Sequence, residues 1–129
     1  MNIDHGAELA SAADSWAFGG TRLVYQRCGA CEHRWYFLRT FCPRCGNTEP
    51  ATLAASGHGR VIASTVVHRA PSDTFREIAP YTLVLVDADE GFRLMAHAEA
   101  VAAIGDRVHG GTRTIAGRLL PYFEKYFSA

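Results

Sequence analysis

Four cysteines are the residues of this sequence best suited to chemistry, and they form two Cys-x-x-Cys pairs. Cys28 and Cys31 make the first pair, Cys42 and Cys45 make the second, and ten residues separate the pairs. A two-residue gap lets both sulfurs of a pair point inward from one tight turn, and four thiolates bind Zn²⁺ tetrahedrally at about 2.3 Å. The spacing therefore predicts a closed, structural metal site that leaves no coordination position for water or substrate.

Two alternatives would use the same four cysteines. Two disulfides are disfavoured, because the cysteines of each pair are too close in sequence for a relaxed bridge and nothing indicates an oxidising compartment. A four-thiolate site also suits iron, as in a rubredoxin-like electron carrier. The short spacing between the pairs favours zinc, and the colour of the purified protein separates the metals, since iron would be red and zinc colourless.

The other reactive side chains do not assemble a catalytic site. Ser56 and His58 stand together in a glycine-containing stretch but lack an acid to orient the histidine. His68 and His97 fall in strand patterns, where a single histidine is usually an ordinary surface residue. The acidic residues at 87–90 occupy a turn, where acids commonly serve solvation. We therefore predict that the protein is not catalytic on its own.

The composition indicates a folded protein of neutral charge. Its 129 residues are 48% hydrophobic, and 13 basic residues balance 13 acidic ones. This balance argues against general attraction to nucleic acid, and no apolar run approaches the roughly 20 residues of a membrane helix. The first 16 residues lack the basic start and apolar run of a signal peptide. We expect a cytoplasmic protein without a membrane partner, in which thiols stay reduced and available to zinc.

The elements that position the cysteines begin with a predicted helix over residues 4–18. Leu9, Ala13 and Trp16 recur at i, i+4 and i+7, and Gly19-Gly20 ends the pattern. Such a lone amphipathic helix either packs back on the domain or docks on a partner.

The residues around the cysteines predict a small β-ribbon. Residues 22–27 form its first strand, and residues 33–41 supply the return strands. The aromatic run Trp35-Tyr36-Phe37 lies between the cysteine pairs. These rings could stack on a ligand, but small ribbons cover their metal with aromatic side chains, so packing is favoured.

From residue 51 onward the pattern is that of short β-strands. Strands are predicted at residues 61–68, 82–86, 92–99 and 112–120, with turn residues between them. Short strands at this spacing indicate a small barrel, and five of them would make an OB-fold. The loop at residues 69–79 could contact substrate or be mobile.

The predicted fold is mainly β and has three parts. An N-terminal helical segment occupies residues 1–20, a zinc ribbon residues 21–50, and a five-stranded OB-fold barrel residues 51–129.

Several motifs follow one another in a specific order. Gln26-Arg27-Cys28 opens the first cysteine knuckle, Cys42-Pro43-Arg44-Cys45-Gly46 forms the second, and a Gly57-x-Gly59 link precedes the barrel. In this order the chain resembles the DUF35 family of OB-fold proteins with a rubredoxin-like zinc ribbon, over nearly its whole length. Glu32, where the first knuckle often has a glycine, is the clearest departure.

The resemblance implies a non-catalytic or co-catalytic subunit of a hetero-oligomer. Such a subunit would bind a thiolase-like enzyme and support its handling of acyl-CoA at or near the interface. Related assemblies look like thiolases, acyltransferases, hydratases and side-chain aldolases. Because the N-terminal part and the ribbon lie at the partner interface in that family, the resemblance implies these contacts: Trp16, Phe18, Trp35, Tyr36 and Phe37.

Arginine is concentrated in and beside the ribbon, where only Glu32 opposes it. These arginines could simply compensate the charge of the thiolates. Planar guanidinium groups also suit phosphates, so Arg34 and Arg39 are candidates to bind the phosphates of CoA.

A nucleic-acid-binding module is the alternative function. Zinc ribbons and OB barrels both serve that purpose, and arginines with aromatic side chains can hold single strands. The neutral charge argues against it, and affinity of that kind would weaken steeply with salt.

Overall fold

The structure, a computed structural model, describes residues 8–125 and contains a ribbon sheet and a closed barrel. The ribbon sheet consists of β1 (Glu8–Leu9), β2 (Val24–Arg27), β3 (Arg34–Trp35) and β4 (Ala51–Ala54). The barrel consists of β5 (His58–Val67), β6 (Tyr81–Ala88), β7 (Arg93–Ala98), β8 (Arg107–Ile115) and β9 (Arg118–Lys125), with a short helix α1 (Asp73–Arg76) between β5 and β6. Within this part of the chain, no helix is both long and apolar enough to span a membrane.

The prediction of a five-stranded OB-like barrel is confirmed. Its strand order is β5-β6-β7-β9-β8, and all neighbouring pairs are antiparallel except β7 and β9. Alternating residues fill the interior: Val84 lies opposite Ala96 and Val86 opposite Leu94, and all four are buried. This period-2 pattern is the one that the sequence displays.

The ribbon sheet has the strand order β1-β4-β2-β3. The predicted return strand at residues 33–41 is confined to Arg34–Trp35, which pairs with the end of β2. The other partner of β2 is β4, at Ala51–Ala54, so these four residues complete the ribbon sheet ahead of the barrel.

The predicted N-terminal helix is wrong. Residues 4–7 lie outside the described residues; from Glu8 onward the chain forms β1 and two separate 3₁₀ turns, at Ala12–Asp14 and Trp16–Phe18. Side chains compete for the backbone donors that a helix would use: Asp14 accepts from the N–H of Ser11 at 2.8 Å, and Ser15 accepts from that of Ala17 at 3.1 Å.

The predicted final strand at residues 112–120 is also wrong, because it spans a hairpin. Strand β8 ends at Ile115 and β9 begins at Arg118, and the residues between them, Ala116 and Gly117, have φ of 52° and 81°. Two consecutive positive φ values are what a two-residue type I′ hairpin turn requires. The chain therefore reverses in the middle of the predicted strand.

Ribbon and barrel share one hydrophobic core. Leu23, Tyr25 and Leu53 from the ribbon cluster with barrel residues such as Phe92 and Phe123. The rings of Tyr25 and Phe92 stack with centroids 4.7 Å apart and planes 15° apart. Burial of each large side chain is worth about 1.5–3 kcal/mol, so the two parts stabilise each other.

A close backbone approach joins ribbon to barrel at the glycine link. Gly57 has φ of 90°, and its carbonyl accepts from the N–H of Gly110 at 2.8 Å. A Cβ at Gly57 would overlap the carbonyl oxygen of Gly110. Glycine is required here for both its conformation and its size.

Candidate metal centre and its surroundings

Two similar turns present the four cysteines. In the first turn the N–H groups of Ala30 and Cys31 donate to Cys28 Sγ at 3.3 and 3.4 Å. In the second turn, those of Arg44 and Cys45 donate to Cys42 Sγ at the same two distances, 3.3 and 3.4 Å. Each turn therefore solvates its first sulfur with two backbone donors, which favours the thiolate form that binds metal.

The residue after each turn adopts a left-handed conformation. Gly46 has φ of 82°, and Glu32, at the equivalent place in the first turn, has φ of 65°. Their N–H groups close the turns by donating to the carbonyls of Cys42 and Cys28 at 2.9 and 3.0 Å. Glu32 thus adopts the glycine-like backbone despite its Cβ, so the departure from the family pattern leaves the knuckle intact.

The four sulfurs lie close enough together to hold one ion. All four Sγ atoms are within 4.8 Å of one another. Cys28 Sγ is 3.6 Å from Cys45 Sγ, and Cys31 Sγ is 3.7 Å from Cys42 Sγ. A tetrahedron of thiolates with bonds of 2.3 Å has edges of about 3.8 Å. The donor set and spacing fit zinc, which would cross-link the two turns when bound.

Hydrogen bonds favour the thiolate form of Cys28. The N–H of Cys31 has the largest effect, burial opposes it and the N–H of Ala30 adds to it, and together with the neighbouring thiols they lower the pKa of the Cys28 thiol to about 6. Cys28 and Cys42 are buried, whereas Cys45 is exposed. The metal position is therefore at the rim of the ribbon, with two sulfurs inside and one facing solvent.

Trp35 packs against the cysteines of the metal site. It is 8% exposed and packs with Cys28 and Cys42 in a small cluster separate from the main core. Its Nε1 donates to Gln26 Oε1 at 2.7 Å, and the same oxygen accepts from the N–H of Arg39, also at 2.7 Å. Trp35 therefore has the packing role that the sequence favoured, and its burial leaves little surface for a partner.

The sequence showed Gln26 only as the start of the first knuckle motif and gave it no structural role. It is buried, and it ties the indole of Trp35 to the backbone of the return segment. A polar residue directly after the apolar run Leu23-Val24-Tyr25, two positions before Cys28, is the feature that could have identified it.

Two of the other predicted contact residues, Trp16 and Tyr36, meet at the junction of ribbon and barrel. Trp16 Nε1 donates to Tyr36 Oη at 2.7 Å, and the Tyr36 ring stacks on Phe92 of the barrel, with centroids 5.8 Å apart. Phe18 ends the 3₁₀ turn that begins at Trp16 and is 61% exposed; Phe37, beside Tyr36, is 76% exposed. Both phenylalanines are thus exposed and lie close in sequence to the hydrogen-bonded pair Trp16–Tyr36.

The two arginines predicted to bind CoA differ in setting. Arg34 Nη1 donates to the carbonyl of Glu90 at 2.6 Å, and the side chain lines a cleft of about 480 Å³ with Asp87, Gly91 and Arg93. Arg39 is exposed on the ribbon. Arg34 thus links the ribbon to a barrel turn.

The Ser56/His58 pair and the acidic turn are parts of the framework. Ser56 Oγ accepts from the N–H of His58 at 3.2 Å, which closes a local turn. Glu90 Oε2 accepts from the N–H of Ser56 at 2.6 Å, and Asp89 pairs with Arg107 through contacts of 2.7 and 2.8 Å. Glu90 therefore ties the ribbon–barrel link to the β6–β7 turn, and Asp89 ties that turn to the start of β8.

Fold and metal site together define a zinc-ribbon OB-fold protein, and comparison with known families agrees. Residues 16–51 match the family described as ChsH2, rubredoxin-like zinc ribbon domain. Residues 53–113 match ChsH2, C-terminal OB-fold domain. The chain belongs to the DUF35 family.

Curated relatives include proteins with different descriptions. A DUF35 domain-containing scaffold protein of Methanocaldococcus jannaschii is 37% identical over 73 residues, which cover 56% of this chain and 51% of the relative. A probable enoyl-CoA hydratase alpha subunit of Thermomonospora curvata is 37% identical over 81 residues, or 63% of this chain and 25% of the relative. The chain thus spans between a quarter and about half the length of these relatives.

Solved structures show the same architecture. A chain of the Ltp2-ChsH2(DUF35) aldolase is 33% identical and superposes with a TM-score of 0.66, covering 81% of this chain and 84% of that one. A DUF35 protein from Sulfolobus solfataricus shares the fold at 14% identity, with a TM-score of 0.57 and coverage of 81% and 76%.

Proposed function

We propose that this chain is an accessory subunit that binds a thiolase-like enzyme and supports the handling of acyl-CoA by that partner. Membership of the DUF35 family carries the proposal, since a relative covered over 84% of its length is described as part of an Ltp2-ChsH2(DUF35) aldolase. An archaeal relative is described as a scaffold protein. The metal site supports a structural role, because its four thiolates fill every position of a tetrahedral ion.

The junction aromatics supply the contact surface of the proposed complex. Phe18 and Phe37 are more than half exposed. Tyr36, next to Phe37, is joined to Trp16, two residues before Phe18, by a hydrogen bond of 2.7 Å. Exposed aromatic side chains on a rigid support are typical of binding hot spots, because they bury large areas at little cost in conformational entropy.

Purification of the tagged protein from its native cells tests the proposal. Size-exclusion chromatography with mass spectrometry should find a thiolase-fold enzyme in stoichiometric amount. A lone monomer, or a protein that carries nucleic acid with steeply salt-dependent affinity, would contradict the proposal and favour the binding-module alternative.

Substitution of the exposed phenylalanines tests the interface. Phe18→Ala and Phe37→Ala should each weaken binding of the partner about tenfold or more, because truncation of a hot spot costs about 2 kcal/mol. Val101→Ala is the matched control, since Val101 is 59% exposed in the loop after β7. If Phe18→Ala and Phe37→Ala bind the partner as tightly as Val101→Ala does, this surface is not the interface.

The proposed role of the arginines has its own test. Arg34→Ala and Arg39→Ala should weaken the acyl-CoA affinity of the assembled complex, while Arg60→Ala should not, because Arg60 contacts the carbonyl of Gly105 on the barrel. Unchanged affinity in both ribbon variants would exclude these two arginines from CoA binding and leave the subunit role intact.

A further inference from the structure

The second half of β5 has a neighbouring strand on one side only. Residues 63–67 pair with β6, whereas the pairing of β5 with β8 is confined to residues 58–60. A register shift between Val61 and Ala63 separates the two halves of the strand. Among the described residues, no strand borders residues 63–67 on the side away from β6. These five residues, called the β5 edge below, therefore extend beyond the closure of the barrel as a free strand edge.

Backbone groups of the β5 edge lack partners in the sheet. In an antiparallel pair, alternate residues turn their N–H and C=O groups toward the neighbouring strand, and the residues between them turn these groups away. The groups of the β5 edge that turn away from β6 therefore face no described strand. Ser64, Thr65 and Val66 are all exposed, with 50% of the surface of Val66 accessible. A strand from another chain thus has access to this edge.

The β5 edge also lacks the features that usually protect a free edge. Proteins keep such edges short, or place charged residues or proline on them. Residues 61–67 contain neither a charge nor a proline. By contrast, the outer ribbon strands β1 and β3 have two residues each. Residues 110–115 of β8, which β5 does not cover, carry Arg113, and Thr112 Oγ1 donates to the carbonyl of Thr21 at 2.7 Å.

We propose that the β5 edges of two copies of this chain pair antiparallel about a two-fold axis at Thr65. This register places Thr65 opposite the same residue of the second copy, and Ser64 opposite Val66. Two threonines directly opposite each other are a favourable cross-strand pair. Because β5, β6 and β7 are antiparallel neighbours, the two barrels would share one six-stranded sheet. The proposal concerns the isolated chain and does not rest on the proposed function.

The charge pattern favours a second copy as the occupant. Pairing about a two-fold axis sets each residue of an edge opposite itself or a near neighbour, so a charge on the edge would meet a like charge at close range. The β5 edge has no charge, and the nearest charged residues, Arg60 and Arg69, lie outside it. The proposed register sets neither arginine opposite the other. The edge is therefore compatible with an identical edge.

The size of the contact predicts a weak dimer. A strand of five residues spans about 17 Å, and specific stable interfaces bury about 1,200–2,000 Å². Ile104, which is 67% exposed, adds apolar surface beside the edge, because the N–H of the next residue, Gly105, donates to the carbonyl of Val61 at 2.8 Å. A contact of this kind lies at the lower end of specific interfaces, so dimerisation should depend on protein concentration.

Sedimentation equilibrium of the zinc-loaded full chain, from micromolar to millimolar concentration, tests the proposal. The wild type should pass from monomer to dimer over this range. Its dissociation constant should change little with salt, because the paired edges carry no charge. A protein that stays monomeric throughout, or a dimer that dissociates steeply as salt is added, would overturn the proposal.

Matched variants locate the contact. Thr65→Lys should raise the dissociation constant of the dimer about fivefold or more, because two like charges would then lie directly opposite each other. Thr114→Lys makes the same change at an exposed threonine of β8 and should leave the dissociation constant unaltered. Circular dichroism shows whether both variants are folded. Equal dimerisation of Thr65→Lys and the wild type, or weaker dimerisation of Thr114→Lys alone, would show that the β5 edge is not the contact.

A disulfide tests the register. Residues directly opposite each other in an antiparallel pair have Cα atoms about 4.5–5.5 Å apart, which is within the range of a disulfide. Thr65→Cys should therefore form a covalent dimer with oxidised glutathione as the oxidant. Met95→Cys, at an exposed position of β7, should not, and the zinc-loaded wild type gives the background. Absence of the covalent dimer in Thr65→Cys, or equal yield in Met95→Cys, would contradict the proposed pairing.

Purification from native cells distinguishes a second copy from another protein. If the wild type alone stays monomeric and Thr65→Lys reduces the amount of a co-purifying enzyme, a strand of that enzyme occupies the β5 edge and the proposal is wrong. If Thr65→Lys weakens the dimer and leaves the co-purifying enzyme unchanged, the edge serves two copies of this chain as proposed.

Discussion

His97 shows how position in the fold changes the chemistry of a single residue. Its ring clusters with those of Tyr81 and Phe75, whose centroids lie 5.1 and 5.9 Å away. Burial lowers the pKa of His97 below its usual value, because a partly desolvated imidazolium is disfavoured. The neutral ring is therefore the form that the folded protein prefers.

This preference predicts a pH dependence of stability. The pKa of His97 is lower in the folded state than in the unfolded state, so the unfolded chain takes up the proton first as pH falls below about 6.5. The contribution of neutral His97 to stability is thus present above that pH and is lost below it. The free energy of unfolding of His97→Phe, measured with urea, should therefore increase relative to that of the wild type as the pH falls from 7.5 to 5.5.

The control for this measurement is Met95→Leu, a substitution without a titrating group on the same strand. Its free energy of unfolding relative to the wild type should be the same at both pH values. If the difference in free energy of unfolding between His97→Phe and the wild type does not change with pH, the pKa of His97 is not lowered in the folded protein.

At the scale of elements, sequence patterns predicted those parts whose geometry is set locally. The cysteine turns depend on residues two or three positions apart, and the inner barrel strands on a strict alternation such as Leu94-Met95-Ala96. Both are visible in the sequence. The closure of the barrel and the pairing of β4 with the ribbon depend on distant residues, so only their general form could be expected.

The N-terminal segment was mispredicted for a physical reason. The spacing of Leu9, Ala13 and Trp16 suits a helix, but Leu9 is 78% exposed in β1, and Trp16 Nε1 is bonded to Tyr36 Oη, twenty residues away. Tertiary contacts outweighed a weak local preference. The hairpin at Ala116-Gly117 was missed because alanine is not typical of a position with positive φ.

The glycine link gives a prediction at this scale. Gly57→Ala should destabilise the protein by about 3 kcal/mol or more, because a positive φ costs about 1–2 kcal/mol and the overlap with the Gly110 carbonyl adds to it. Urea unfolding monitored by tryptophan fluorescence measures the change.

Gly105→Ala separates the two contributions. Gly105 has φ of 94°, close to that of Gly57, but a Cβ there would meet nothing within 4 Å. It should therefore cost only the conformational part, about 1–2 kcal/mol. Equal losses in the two variants would show that the close approach of Gly57 and Gly110 is unimportant.

At the scale of the whole molecule, the shared core couples the metal to the barrel. The ribbon contributes Leu23, Tyr25 and Leu53 to the barrel core, whereas Trp35 belongs to the cluster around the cysteines. Metal binding and folding are linked in small ribbons of this kind. Loss of zinc should therefore also destabilise the barrel, because the ribbon contributes these side chains to the barrel core.

Removal of zinc, by a chelator or by Cys42→Ser, should unfold the ribbon and weaken the barrel. Backbone N–H groups of β2 and β4 should lose protection from hydrogen exchange first. The barrel should then lose several kcal/mol of stability, because each large side chain withdrawn from the shared core is worth about 1.5–3 kcal/mol.

Thr40→Ala is the control. It changes an exposed side chain two residues before Cys42, and it should retain both zinc and protection from hydrogen exchange. A metal-free Cys42→Ser protein with a fully protected ribbon would show instead that packing on the barrel is sufficient to fold it.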